Sequence, residues 1–103
     1  MSWLITVGPG AERDIRKLDA KAQNQIVAAL DKLSAHPWTA GAEKLSHRQK
    51  FWRVRSGNYR IICTIEERQR RLLVLLIRHR RDAYRDLDIL ERRLLTAMTR
   101  RAE

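Results

Sequence analysis

One uninterrupted apolar run constrains the fold more than any other feature of this sequence. Residues 72–77 are apolar at every position, and an arginine lies directly before and directly after them. Such a run is too short to span a bilayer, but it has the length of a strand that is covered on both faces. We therefore predict a central strand in a sheet that has further structure packed on each side.

The first third of the chain predicts a strand followed by two helices. Apolar residues alternate over positions 3–7, and the Gly-Pro-Gly sequence at 8–10 ends this strand. Apolar side chains then recur at helical spacing, with a tight corner near Asp19 and Ala20 and a stop before Pro37. This pattern predicts two antiparallel helices.

The pattern changes to period two after a connecting segment. Residues 38–50 show no sustained period and are predicted to form a loop. Trp52 and Val54 are then predicted to face the core, while Arg53 and Arg55 point outward. This alternation predicts the first strand of an antiparallel meander that ends with the apolar run.

The remaining segments complete an α+β fold. Ser56-Gly57-Asn58 predicts a turn into a strand at 59–65, and a polar turn leads from there to the apolar run. A C-terminal helix is predicted over about 82–101 from the spacing of Leu87, Leu90, Leu94 and Met98. At 103 residues the chain has room for one core, so residues 1–103 are predicted to form a single domain.

The charge of the chain indicates a polyanionic partner. The formal net charge is +10, with 22 Lys and Arg against 12 Asp and Glu. All 14 basic residues after position 50 are arginines, whose planar guanidinium groups suit phosphate binding. Cys63 is the single cysteine, which excludes a disulfide framework and a cysteine metal cluster, and there is no apolar signal segment. We therefore expect a cytoplasmic protein without a metal or cofactor.

Three polar stretches, at 52–55, 58–60 and 78–84, fall where consecutive strands converge. Cleavage of RNA at its own 2′-hydroxyl needs one group to remove that proton, another to protonate the leaving oxygen, and cations for the phosphorane charge. The candidate cations are Arg53, Arg55, Arg60 and Arg80, with Arg78 and Arg81 as further RNA-binding residues. His79 and Tyr84 are the candidates for proton transfer or base stacking, because arginine stays protonated.

Each candidate also has a structural interpretation. Arg53 and Arg55 could belong to a solvated strand face, and His79 could be an exposed imidazole at a strand end. Tyr84 could pack the last helix against the sheet, and Cys63 is interpreted as core packing. Arg60 is the most informative, because a charge before an apolar stretch in a strand needs a partner or a ligand.

Two motifs together resemble the RelE branch of the RelE/ParE toxins. These are Phe-Trp-Arg-Val-Arg-Ser-Gly-Asn-Tyr-Arg-Ile-Ile at 51–62 and His-Arg-Arg-Asp-Ala-Tyr-Arg at 79–85. The resemblance implies a toxin of a type II toxin–antitoxin system that cuts messenger RNA on the ribosome without a metal and is inhibited by a cognate antitoxin, here expected to be acidic. It places Arg60 at the phosphate-contacting position, Arg80 after the last strand and Tyr84 at the C-terminal tyrosine.

Two positions differ from the family pattern, and two other functions stay open. Some members have lysine where this chain has Arg53 and Arg55, and many have glycine where it has Arg78, so the general base is not assigned. The alternatives are a gyrase inhibitor of the ParE branch, which performs no chemistry, and a basic nucleic-acid-binding module without activity.

Overall fold

The computed structural model describes residues 2–46, 48–85 and 87–102, apart from the side chains of residues 49 and 100–102. A five-stranded sheet has the order β1-β5-β4-β3-β2, with helices on both faces. The elements are β1 (Leu4–Val7), α1 (Pro9–Arg16), α2 (Ala20–Ala35), β2 (Glu43–Leu45), β3 (Arg48–Ser56), β4 (Tyr59–Glu66), β5 (Arg71–His79) and α3 (Leu90–Ala102).

The apolar run forms the middle of β5, as predicted. All six residues of 72–77 are buried, because helices cover both faces of the sheet; at its edges β5 pairs with β1 in parallel and with β4 antiparallel. Sheet alternation sends successive side chains to opposite faces, and both faces are covered. The predicted α+β class is confirmed.

Each face of the sheet has its own apolar core. On the face covered by α1 and α2 the buried side chains include Ile26, Leu33, Val54, Ile61 and Val74. On the face covered by α3 they include Phe51, Ile62, Leu76, Leu90 and Ala97. Two helices therefore cover the first face, whereas α3 alone covers part of the second.

The predicted helical corner is confirmed and has a local cause. Asp19 caps α2, since its Oδ1 accepts a hydrogen bond from the Ala22 N–H at 2.8 Å. Pro9 occupies the first turn of α1, where its missing N–H costs nothing. The described part of the chain has no helix long and apolar enough to cross a membrane.

Two predicted boundaries are wrong. Residues 38–50 are not all loop, because β2 spans Glu43–Leu45 and β3 already begins at Arg48. The β2–β3 pairing shifts register between Lys44 and Leu45. That irregularity removes the period-two signal from which a strand is predicted.

The C-terminal helix begins later than position 82. Two turn hydrogen bonds, from Asp82 N–H to the His79 carbonyl and from Arg85 N–H to the Asp82 carbonyl, fold residues 80–85 into turns instead. A short 3₁₀ turn at Leu87–Ile89 then precedes α3. Within the predicted stripe Leu90 is fully buried and Leu87 and Leu94 are partly buried, but Met98 is 55% exposed.

Candidate functional site

The turn between β3 and β4 is held from two sides. Gly57 has a φ of 57°, a backbone conformation that favours glycine, and a Cβ there would displace the amide end of the Gln25 side chain. Gln25, from α2, donates a hydrogen bond to the Ser56 carbonyl at 2.8 Å. The Arg80 N–H donates to the Asn58 carbonyl at 2.6 Å. The turn is thereby joined to α2 and to the end of β5.

Beside this turn, arginines from three strands lie side by side. Arg55 is the cross-strand partner of Arg60, and Arg60 is the partner of Arg78. Directly opposed residues point to the same face, which here is the face that α3 covers farther along β3. Like charges in such positions repel one another, so the row favours an anionic ligand.

The arginines at this end differ in whether a carboxylate neutralises them. Arg78 lies 2.6 Å from Asp14, and Arg53 lies 2.6 Å from Glu43. Among the described candidate arginines at this end of the sheet, four make no ion pair: Arg55, Arg60, Arg80 and Arg81. We call these four the unpaired arginines. Their charge is available to a ligand.

Arg60 is held in place by hydrogen bonds to backbone carbonyls, which carry no negative charge to offset its own. Its Nη1 donates hydrogen bonds to the carbonyls of Gly57 and Tyr59, both at 2.9 Å. These contacts orient the guanidinium beside the turn without neutralising it. Arg60, which the sequence singled out as the most informative candidate, thus lies between Arg55 and Arg78 in the row of arginines.

Tyr84 reaches the same face by folding back over β3. Arg53 Nη1 donates to the Tyr84 hydroxyl at 2.9 Å, and Arg53 Nη2 donates to Glu43 at 2.6 Å. The hydrogen bond to Tyr84 raises the pKa of Arg53, against the opposing effect of burial. Because the tyrosine oxygen is the acceptor, its own proton stays free to be donated. Arg53 is not the outward-pointing residue that was predicted, since only 18% of its side chain is exposed.

His79 does not join the arginines on their face of the sheet. It is one residue from Arg78, so strand alternation turns it to the opposite face. There its ring makes an edge contact with Tyr59 at 5.7 Å and borders a surface cavity of about 410 Å³ beside α1. Its Nδ1 accepts a hydrogen bond from the Arg81 N–H at 3.2 Å. The structure therefore separates the His79 ring from the row of arginines, although the polar stretches that contain them lie at the same end of the sheet.

Two further expectations concern reactive groups. Cys63 is fully buried, and burial raises the pKa of its thiol to about 12, so the interpretation as core packing is confirmed. The described residues contain no group of three His, Cys, Asp or Glu side chains that could hold a metal ion.

Sequence reasoning missed an ionic cluster that joins α1, β5 and α3. Asp14 is 5% exposed and binds both Arg78 and Arg93. Burial alone would raise the pKa of Asp14, but hydrogen bonds from Arg93, the Ile77 N–H and Arg78 outweigh it and hold the pKa below 3.8. The signal in the sequence was an acid on the apolar face of α1, three residues after Ala11, where a carboxylate needs partners.

Comparison with known proteins agrees with this fold. The family described as "ParE toxin of type II toxin-antitoxin system, parDE" matches residues 5–84. Comparison with curated protein sequences gives no match.

Solved structures of RelE proteins are similar over most of their length. A chain of the RelBE2 toxin–antitoxin complex from Mycobacterium tuberculosis superposes with a TM-score of 0.71 and 22% identity, covering 77% of this chain and 99% of that one. A chain of the archaeal RelE–RelB complex from Pyrococcus horikoshii gives 0.66 and 18%, covering 78% and 97%. A mutant of the E. coli toxin RelE in the free state gives 0.64 and 16%, covering 97% and 98%.

At these identities the superpositions establish the fold, and the family match establishes the lineage. The matched residues include all of β1 except Leu4, both N-terminal helices, the whole antiparallel part of the sheet and Tyr84. This chain therefore belongs to the ParE toxin family of type II toxin–antitoxin systems, within the RelE/ParE superfamily.

Proposed function

We propose that this toxin is a ribosome-dependent endoribonuclease that cuts messenger RNA and thereby inhibits translation. The observation that supports this most is the position of three of the unpaired arginines, Arg55, Arg60 and Arg80, at the β3–β4 turn. The hydroxyl of Tyr84 lies on the same face of the sheet as Arg55, where it contacts Arg53. An arginine cluster of this kind suits the phosphate of a single RNA strand.

The reaction that fits these groups is transesterification by the RNA itself. The 2′-oxygen forms a bond to phosphorus as the bond to the 5′-oxygen breaks, and the 2′-proton must leave while the 5′-oxygen gains one. Arg60, Arg55 and Arg80 would stabilise the added negative charge on the phosphorane. Tyr84 would donate its free proton to the leaving oxygen or stack on a base. The products would carry a 2′,3′-cyclic phosphate or 3′-phosphate and a 5′-hydroxyl.

We expect cleavage to depend on the ribosome because the arginine row has no evident general base beside it. Arginine stays protonated and is a poor base, and His79 lies on the opposite face of the sheet, so we leave it out of the phosphate-binding group. A site short of a base gains most from a scaffold that aligns the 2′-hydroxyl with the phosphate. We expect the isolated protein to be a poor nuclease that the ribosome activates.

An antitoxin partner is the second part of the proposal. Several similar solved structures are RelB–RelE complexes, and the charge of +10 on this chain favours an acidic partner. Most of the predicted apolar stripe of α3 is occupied by the sheet, but Leu95 and Met98 are 68% and 55% exposed and offer an apolar contact. Titration with the product of a neighbouring reading frame should show tight binding that weakens as salt is raised.

A gyrase-directed toxin without nuclease activity is the alternative. The observation that favours it is the family match, whose description names ParE. The unpaired arginines would then contact an acidic protein surface instead of a scissile phosphate.

One experiment separates the two functions. Purified toxin, treated with EDTA as a stock, is added to programmed ribosomes, and cuts are mapped by primer extension, while gyrase supercoiling is measured in parallel. Ribosome-stimulated cuts with 5′-hydroxyl ends and unaffected supercoiling are expected. Intact messenger with inhibited supercoiling would replace the nuclease by the gyrase-directed alternative.

A further inference from the structure

The edge of β5 that faces β1 is only half covered by a strand. β1 pairs with β5 from Leu4 opposite Arg71 to Val7 opposite Val74, and the Gly8 N–H adds one more bond to the Val74 carbonyl at 2.8 Å. β5 continues to His79, and no strand within the described residues pairs with it on that side beyond Val74. Backbone groups on such an edge need other partners.

Two side chains from different helices take the place of the missing strand. Arg93, on α3, donates from Nη1 to the Leu75 carbonyl at 2.8 Å. Asp14, on α1, accepts from the Ile77 N–H through Oδ2 at 3.0 Å. The two side chains are themselves joined by an ion pair of 2.9 Å. Together they satisfy one acceptor and one donor of β5, as a neighbouring strand would.

The surroundings of Arg93 show how closely this contact is fitted. A Cβ on Gly10 would lie 2.6 Å from Arg93 Nε and within 2.9 Å of two further atoms of that side chain. Because Gly10 has no Cβ, the first turn of α1 leaves room for the Arg93 side chain to pass and reach Asp14. The side chain of Arg93 is 16% exposed, so most of it is removed from water by this passage.

The candidate site begins where this edge ends. Three residues after Ile77, Arg80 bonds to the β3–β4 turn, and Ala83 is fully buried. Tyr84 follows directly and contacts Arg53. The placement of Arg80 and Tyr84 thus depends on where the last residues of β5 are held.

We propose that Asp14 and Arg93 are positioning residues, which fix the end of β5 and through it Arg80 and Tyr84. The predicted effect on catalysis rests on the proposed nuclease function, whereas the predicted effect on the structure of β5 does not. Both side chains contact the backbone of β5, at Ile77 and at Leu75, and so affect Arg80 and Tyr84 through the position of that strand.

Amide hydrogen exchange tests the structural part without any assay of activity. In Asp14→Ala, exchange at the Ile77 amide and across residues 79–85 should accelerate about tenfold or more relative to the Ile62 amide in β4. Asp14→Asn keeps an oxygen that can accept the Ile77 hydrogen bond, so it should show a smaller change. Glu12→Gln, an exposed acid on the same helix, is the matched control and should leave the pattern as in the wild type.

Variants of the partner side chain sharpen the test. Arg93→Ala should reproduce the local effect of Asp14→Ala, Arg93→Lys should recover part of it, and exposed Arg92→Ala should have none. Gly10→Ala changes no charge and normally favours a helix, yet it should also accelerate exchange at Ile77 by displacing Arg93. Equal acceleration over all strands, or no change at Ile77, would overturn the proposal.

The kinetic part separates positioning from general stability. Well below the unfolding midpoint, Asp14→Ala should lower kcat for ribosome-dependent cleavage about tenfold or more and leave KM within about twofold, because binding cations remain but Tyr84 and Arg80 are misplaced. Unchanged kcat despite accelerated local exchange would refute the catalytic consequence. Absence of cleavage by the wild-type protein would instead remove the nuclease function, and the exchange result would still decide what Asp14 and Arg93 do.

Discussion

Two groups of arginines, one beside the sheet edge and one on the sheet, have different environments. Arg78 and Arg93 converge on the buried carboxylate of Asp14 between α1, β5 and α3. Arg55 and Arg60 lie in the next positions of the row and have no acidic partner among the described residues. The first group shares one buried carboxylate, which offsets one of its two charges, and the second group has no carboxylate beside it in the described part of the chain.

The difference shows that residue type alone does not make an arginine a ligand-binding residue. Arg78 and Arg60 are direct cross-strand partners, yet only Arg78 lies within reach of α1. Removal of a buried carboxylate that has two guanidinium partners is destabilising, because both charges are left without that partner. An exposed arginine contributes little to stability and is free to act on a ligand. Substitutions in the two groups should therefore affect different properties.

Asp14→Ala should give the largest effect on stability. It leaves Arg93 and Arg78 without their carboxylate and the Ile77 N–H without its acceptor, so the free energy of unfolding should fall by about 3 kcal/mol or more. For a domain of this size the midpoint should drop on the order of 10 °C. Thermal and urea unfolding measure this, with exposed Asp31→Ala as the control. A loss no greater than that of the control would remove the contrast between the two groups.

Arg60→Ala should give the opposite result. Cleavage on ribosomes should fall by about two orders of magnitude, as when a positioned charge-stabilising group is lost. The unfolding midpoint should stay within about 2 °C, because the described hydrogen bonds of the removed guanidinium go to two backbone carbonyls and not to a carboxylate. Arg68→Ala, an exposed arginine in the turn at the other end of β4, should retain activity. Parallel losses of stability and activity in Arg60→Ala would identify a structural arginine.

Acid should weaken the paired group selectively. The pKa of Asp14 is lowered in the folded state, so its contribution to stability is present above the unfolded value near 3.8 and is lost as the pH falls through the folded pKa. The free energy of unfolding of the wild type should therefore approach that of Asp14→Asn as the pH decreases. Urea unfolding of both proteins at a series of pH values tests this, and a constant difference across the series would contradict it.

Tyr84→Phe should have the smallest effect. The change removes the acceptor of the Arg53 hydrogen bond on an exposed side chain, so stability should change by less than about 1 kcal/mol. Cleavage should fall by about tenfold or more if the hydroxyl donates a proton, and should persist if the ring only stacks. Single-turnover cleavage by the variant on ribosomes distinguishes these roles.

Local sequence patterns were sufficient for most of the elements. The apolar run, the Gly-Pro-Gly break and the corner at Asp19 all depend on short-range preferences, and each prediction is confirmed. β2 was missed because a three-residue strand with a register shift has no period to detect. The start of α3 was misplaced because Leu87 continues the helical spacing, although the chain before it folds into turns.

The sequence by itself determined the α+β fold, the excess of arginine and the motifs that indicate the family, because these are recorded in spacing and composition. Only the tertiary structure decided which arginines have a carboxylate partner. Asp14 meets Arg93 across 79 positions of the chain and stands beside a strand edge that β1 leaves open. Strand alternation likewise turns His79 away from Arg78, its neighbour in sequence. Pairing between charges depends on distances of a few ångströms between distant segments, and those distances exist only after the sheet and helices have packed.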